Sequence, residues 1–229
     1  MRRVGAWRGA RGLICGLAIL CLLVAASVVP LTLRAAAQDG TIRVPNLAYH
    51  AIDYSGAAYS VTPDQLDAQC RWLIVQGYTS ITLGQFWDAV STGLTYLPPN
   101  PVVLTDDDGW LSATTFADIL SNYGIVGNSF INNVSPLTAD QILSLSQRGM
   151  IEAHTVTHAH LASMDYDQQY AEIANNKAYL EQITGLPVRF LAWPFGEWND
   201  SAVQAAADAG IVAAFGLGGN AVQVGAIDP

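Results

Sequence analysis

His154 and His158 stand four residues apart in the run Glu152-Ala153-His154-Thr155-Val156-Thr157-His158, and upstream of them lies Thr105-Asp106-Asp107-Asp108-Gly109. Two imidazoles at this spacing can reach one metal ion from one side of a helix or tight turn. A carboxylate from elsewhere in the chain completes three protein ligands and leaves a position for water, the layout of a catalytic zinc centre. A second carboxylate beside the ligand can take a proton from that water. An Asp-Gly pair also suits a plain solvated turn. Three adjacent carboxylates repel one another, however, and a strand end facing a pocket accommodates them best around a cation.

Three further stretches belong with these. Pro194-Phe195-Gly196 follows an apolar run and can aim a backbone N–H at a developing oxyanion. Trp193 and Trp198 flank it, and each suits either stacking on a sugar face or packing in the core. Tyr49-His50 closes an apolar run near the start of the domain and can point its histidine into the same mouth. His160, two residues beyond His158, is expected to face elsewhere, on the surface. Cys70, at an apolar helical position, is expected to pack rather than react.

These side chains need a scaffold that gathers strand ends. Short apolar runs recur at residues 44–52, 78–83, 102–104, 125–131, 150–153, 190–193 and 211–215, and helical patterns separate most of them. Thr62-Pro63-Asp64-Gln65 supplies an N-cap, a proline in the first turn and a capping-box glutamine, with Gly77 closing the helix. Leu66, Cys70, Leu73 and Ile74 form its apolar face. Thr138 with Gln141 repeats the device and predicts a helix running to Gly149. Residues 165–184 form the longest pattern, with Tyr170, Ile173, Ala174, Lys177 and Leu180 at helical spacing and Gly185 after it; residues 200–209 form another, stopped by Gly210. Strand alternating with helix through short connections predicts a parallel sheet. About seven such units predict an α/β fold, a deformed (β/α)7-8 barrel forming a single domain, with chemistry at the strand C-terminal ends. Asp107, His154 and Pro194-Phe195-Gly196 all fall there.

Of the 229 residues, 51% are hydrophobic and 13% charged, and part of that bias is N-terminal. Arg2, Arg3, Arg8 and Arg11 precede an uncharged apolar run over residues 13–33, and Ala35-Ala36-Ala37 offers a cleavage signal. Residues 1–37 are therefore expected to be a signal peptide or an uncleaved membrane anchor with its basic side inside. Residues 38–43 are expected to be a linker, and 44–229 an exported domain that is secreted or held at the cell surface. Half of the ten basic residues lie in the leader and all nineteen acidic ones after it, which leaves the remainder near −14. Such a charge disfavours nucleic acid and anionic membrane surfaces as partners and suits neutral or cationic polymers. Cys15 and Cys21 lie in the leader, so Cys70 is expected to form no internal disulfide.

In order and spacing, T-D-D-D-G, H-T-V-T-H and W-P-F-G resemble the polysaccharide deacetylases of the NodB-homology type, carbohydrate esterase family 4. The resemblance runs from Val44 to the C-terminus. Residues 77–83 and 102–109 are similar to the extracellular branch that includes biofilm poly-N-acetylglucosamine deacetylases. The resemblance implies a metal-dependent hydrolase that removes N-acetyl groups from an amino-sugar polysaccharide and releases acetate. It makes Asp107 the general base, Asp108, His154 and His158 the metal ligands, and the Phe195 N–H an oxyanion donor, with Trp193 on the substrate side. His50 takes the catalytic acid role that the commoner branch gives to a C-terminal L-x-H motif, since no histidine follows His160. The ligand types favour zinc, with cobalt and nickel also suited. Two positions depart from the family pattern. Asp106 replaces a phenylalanine and is expected to crowd the base or raise its pKa; Ala192 replaces an arginine, with Arg189 out of register. These departures motivate the alternative of a catalytically weak, surface-anchored glycan-binding module on the same fold. An amidohydrolase acting on another amide is a third reading. Peptidoglycan, chitin oligomers and poly-N-acetylglucosamine present the same acetamide.

Overall fold

Strand and helix alternate along almost the whole described chain. The computed structural model describes residues 42–92, 97–218 and 222–224. The expected leader, residues 1–37, and most of the expected linker lie outside the described residues. In chain order the elements are β1 (Ile42–Val44), β2 (Asn46–Tyr49), β3 (Ala51–Ile52), β4 (Ser60–Val61), α1 (Pro63–Val75), β5 (Thr79–Ser80), α2 (Leu83–Thr92), β6 (Pro101–Asp106), α3 (Ala113–Asn122), β7 (Gly127–Ile131), α4 (Ala139–Ser146), β8 (Gly149–Ala153), α5 (Tyr166–Thr184), β9 (Phe190–Ala192), α6 (Asp200–Asp208), β10 (Ala213–Phe215) and β11 (Val222–Val224). Among the described residues no helix is long and apolar enough to cross a membrane.

One parallel sheet runs in the order β10-β9-β8-β7-β6-β2, with β5 also paired to β6. With helices packed along it, this sheet is the half-barrel of a deformed (β/α) barrel, as the alternation predicted. β1 pairs antiparallel with β11, and β3 pairs with β4.

Side-chain alternation along the strands separates two environments. Val102 and Leu104 of β6 pack in one cluster with Leu66, Cys70 and Leu73 of α1 and Phe116 and Leu120 of α3. Val103 faces the other way, into a cluster with Phe130, Phe190 and Ala192 at the concave side, where Leu83 and Phe86 of α2 also sit. A third cluster joins Ile151 and Ala153 of β8 to α4, α5 and α6. Cys70 is buried and free, packed as expected.

Local sequence explains the helix starts. Thr62, Thr138 and Asp165 each form a capping box with the glutamine at the third helical position. Gly185 closes α5 at φ 68°, a left-handed conformation that a side chain disfavours.

Several boundaries differ from expectation. The run 44–52 is three short strands rather than one. The run 78–83 yields only β5, because Leu83 already opens α2; neither α2 nor α3 was anticipated. α4 ends at Ser146, and Gly149 opens β8 instead of closing the helix. There a Cβ would stand 2.0 Å from the Gly127 carbonyl oxygen, so close backbone approach explains the glycine.

Candidate active site

Strand ends converge on one cavity of about 280 Å³, whose lining includes His50, Asp107, Asp108, His154, His158 and Phe195. His50 follows β2, Asp107 and Asp108 follow β6, His154 follows β8, and Phe195 lies in the short 3-10 turn Pro194–Gly196 after β9. All sit at the C-terminal ends of parallel strands, where barrel chemistry is built.

Asp108 is the hub. Its Oδ1 lies 3.1 Å from His154 Nε2 and 3.0 Å from His158 Nε2, and its Oδ2 accepts a 3.0 Å hydrogen bond from Trp110 Nε1. Burial works against ionisation of Asp108, yet its hydrogen bonds to His154 and His158 and their charge hold it well below the usual carboxylate range. The histidines are not on a helix. They lie in an irregular turn in which Thr155 and His158 take φ values of 67° and 57°, and the Thr155 hydroxyl accepts from the His158 N–H at 3.1 Å. That turn, rather than helical spacing, brings the two rings to 4.8 Å between centroids.

The set fits a divalent cation. Ligand atoms from Asp108, His154 and His158 all lie within 4.8 Å of one another. At metal–ligand distances of about 2.0–2.2 Å, tetrahedral neighbours stand roughly 3.3–3.6 Å apart, so the two Asp108–histidine separations would open slightly while the set stays within its 4.8 Å span. His154 Nδ1 is 2.9 Å from the Ala192 carbonyl. Since a carbonyl only accepts, Nδ1 carries the proton and Nε2 is the ligating nitrogen. Burial opposes charge on His154, but the Asp108 hydrogen bond, the Asp107 charge and the Ala192 carbonyl together raise its pKa. The His154 N–H is held at 2.8 Å by Asn176 Oδ1, and Asn176 Nδ2 donates to the Ile131 carbonyl and to Asn133.

Asp107 is buried beside this cluster, and its Oδ1 has no hydrogen-bond partner among the described residues. Burial raises its pKa, while His154 and His50 pull the other way without prevailing. A carboxylate poised upward, unengaged and facing a cavity is suited to proton abstraction. His50 is half-buried, with its ring 5.3 Å from that of Tyr59.

Other expectations need correction. Asp106 does not crowd the base. It shares the helix-facing side of β6 with Val102 and Leu104, does not line the cavity, and is fully buried with both carboxyl oxygens unpartnered among the described residues. Its pKa is pushed well up by burial and by the charges of Asp107 and Asp108. Trp193 touches the cavity wall but is only 6% exposed and packs in the core, so it offers no open stacking face; Trp198 is 52% exposed. His160 is on the surface as expected but does not face away: its ring stacks on Phe195 at 3.9 Å, and its Nδ1 pairs with Glu197 Oε2 at 2.9 Å. Phe195 itself adopts φ 58° and packs edge-on against His158.

Sequence reasoning missed Trp110 and Asn176. Trp110 directly follows Asp-Gly, a position whose aromatic character was the available signal. Asn176 is a polar residue in the buried stripe of α5, which runs through Gln169, Ile173, Asn176 and Leu180 rather than through Tyr170 and Lys177.

An Asp/His₂ cluster beside a buried carboxylate, at the mouth of a β/α half-barrel, defines a candidate centre for metal-assisted hydrolysis. The sequence profile of the polysaccharide deacetylase family matches residues 96–214, and the chain belongs to that family. YxkH of Bacillus subtilis (strain 168), named for the same family, is 29% identical over 178 residues, which span 73% of this chain and 62% of YxkH. Among solved structures, the deacetylase PplD of Streptococcus pyogenes, in complex with acetate, superposes with a TM-score of 0.69 at 27% identity, covering 74% of this chain and 81% of PplD. BA0330 of Bacillus anthracis, also named for the family, gives a TM-score of 0.73 at 26% identity, covering 83% of this chain and 63% of its own.

Proposed function

We propose that this protein is an exported, metal-dependent deacetylase of an N-acetylated amino-sugar polysaccharide. The observation that carries the reading is the meeting of Asp108, His154 and His158 with Asp107 and His50 around one cavity, in a chain of this family. The acetate held by PplD supports the choice of reaction.

Asp108, His154 and His158 would hold the cation, zinc by ligand type, with cobalt or nickel as substitutes. When bound, the cation supplies Lewis acidity toward the acetamide carbonyl and its water. Asp107 accepts the proton of the attacking water; its raised pKa brings it nearer to neutral pH, where a base works best. The Phe195 N–H, set by the left-handed turn, is assigned to the oxyanion. His50 donates the proton that lets the amine leave. The products are acetate and a free amine on the sugar. The basic, apolar leader supports export, with the domain secreted or anchored at the surface.

The test is acetate release from an N-acetylglucosamine oligomer with added zinc and with chelator. Asp107→Asn should keep bound zinc at the wild-type level and lower turnover by about 10²–10⁴-fold, the range of general base catalysis. Retained turnover would remove the base assignment. Alanine at position 192, where the family pattern has arginine, keeps the binding-module reading open; saturable glycan binding by zinc-loaded protein with no acetate release would favour it.

A further inference from the structure

The loops after β8 and β9 meet at a side chain that the proposed chemistry leaves unused, His160. Its ring lies face-on to that of Phe195, with centroids 3.9 Å apart and planes 9° from parallel. Its Nδ1 is 2.9 Å from Glu197 Oε2. An ionised carboxylate only accepts, so Nδ1 carries a proton. One imidazole thus grips the 3-10 turn Pro194–Gly196 at two points, a residue inside it and the residue after it. His160 is itself held, because its carbonyl accepts from the Ser163 N–H at 3.0 Å and from the Ser163 hydroxyl at 2.7 Å. Asn199 joins the same two loops separately, its Nδ2 donating to the Ala162 carbonyl at 3.1 Å.

Phe195 needs such a grip. At φ 58° and ψ 6° it is left-handed without being glycine, a conformation that persists where the surroundings over-determine it. Gly196, also left-handed at φ 68°, lets the turn press on Leu217: a Cβ there would stand 2.9 Å from the Leu217 backbone nitrogen. The Gly196 and Glu197 N–H groups are spent on the Trp193 and Pro194 carbonyls. The Phe195 ring then meets two imidazoles, His158 edge-on at 4.5 Å and His160 face-on. His158 belongs to the candidate metal centre, whereas His160 is no part of it. With side chains 57% and 49% exposed, the His160–Glu197 pair adds little to stability; its geometry acts on the alignment of the turn. We infer that His160, braced by Glu197, is a positioning residue for the proposed reaction, holding the Phe195 N–H where the oxyanion develops. The inference rests on the deacetylase reading and adds which side chain sets its oxyanion donor.

The experiment measures kcat and KM for acetate release from an N-acetylglucosamine oligomer by zinc-loaded protein, with bound zinc and amide hydrogen exchange followed on the same samples. His160→Ala should lower kcat about 10–100-fold, less than the roughly 10²–10³-fold cost of losing an oxyanion donor outright, and leave KM and bound zinc at wild-type values. The Gly196 and Glu197 amides should exchange faster in that variant. His160→Phe, which keeps a ring to stack on Phe195, should recover most of the loss. Glu197→Ala should lower kcat by less than His160→Ala, and the double variant should be no slower than His160→Ala, because both act through one contact. An unchanged kcat in His160→Ala would overturn the positioning role. So would a loss confined to KM, which would make His160 a substrate contact, or a parallel loss of zinc, which would place the effect at His158. If the wild type releases no acetate, the deacetylase reading fails; amide exchange then decides the grip on the turn, with unchanged rates in His160→Ala overturning it and faster rates upholding it.

Discussion

Asp106 and Asp107 are neighbours with opposite surroundings, and strand alternation is the reason. Asp107 turns toward the cavity, where His154 and His50 offset part of its burial; Asp106 turns into the apolar layer against α1 and α3, where neither carboxyl oxygen has a partner among the described residues. An unsatisfied buried carboxyl costs about 1–3 kcal/mol or more. Asp106→Val, one heavy atom fewer, apolar and well suited to a strand, should therefore raise stability by about that amount, read by urea unfolding at pH 7. Acetate release should stay within a few fold. A loss of stability would mean that the carboxyl is partnered. The sequence alone shows three aspartates and a glycine but not which way each faces. That requires the register of β6, which a six-residue apolar strand does not declare. The Asp108, His154 and His158 cluster was legible as a candidate because its residue types and order are restrictive; Trp110 was not, because its relevance depends on the Asp108 Oδ2 that it holds.

At the scale of elements, the His154 turn depends on α5. Asn176 bonds the His154 N–H, the Ile131 carbonyl and Asn133, joining the ends of β7 and β8 to the helix. Partners that orient metal ligands typically contribute 10–100-fold to metal affinity. Asn176→Ala should weaken zinc binding by about that factor, measured by competition with a chromogenic chelator, and should lower the unfolding midpoint of the metal-free protein too. Unchanged zinc affinity would mean that the turn holds itself. The helices opened by Thr62, Thr138 and Asp165 were readable to within a few residues, because these residues satisfy end N–H groups by local chemistry. The starts of α2 and α3 were not. Ser112 makes no side-chain cap at α3; α2 has its own Thr82–Gln85 box, but it lies inside an apolar run whose period does not separate strand from helix. The buried stripe of α5 misled for a related reason: Gln169 and Asn176 are interior because their amides have backbone partners.

For the whole molecule, these buried groups set how stability varies with pH. Burial raises the pKa of Asp106 and Asp107, and lifts Glu152 to about 7 although its Oε2 accepts from the Arg189 and Phe190 N–H groups. A carboxyl with a raised folded pKa contributes stability that is complete below its unfolded pKa and is lost as pH rises through the folded value. For Glu152 that window runs from 4.5 to about 7, worth about 3 kcal/mol at 1.36 kcal/mol per pKa unit. His154, also raised, works in the same direction, because its bridge to Asp108 is lost when it deprotonates. Asp108, held low, stays ionised throughout this range. The metal-free protein should therefore unfold more readily at pH 7.5 than at pH 5. Glu152→Gln should flatten the difference by about 3 kcal/mol, since the amide oxygen still accepts both N–H groups. Zinc should act in the opposite sense. It needs neutral His154 and His158 and ionised Asp108, so its binding releases protons and strengthens as pH rises. Saturating zinc at 100 times its Kd adds about 2.7 kcal/mol. Urea titrations at pH 5 and 7.5, with chelator and with zinc, should show the metal-free curve falling with pH and the zinc increment growing. A metal-free curve that rises across this window would place the buried carboxyls in contact with water, and the half-barrel core around Glu152 would then be open.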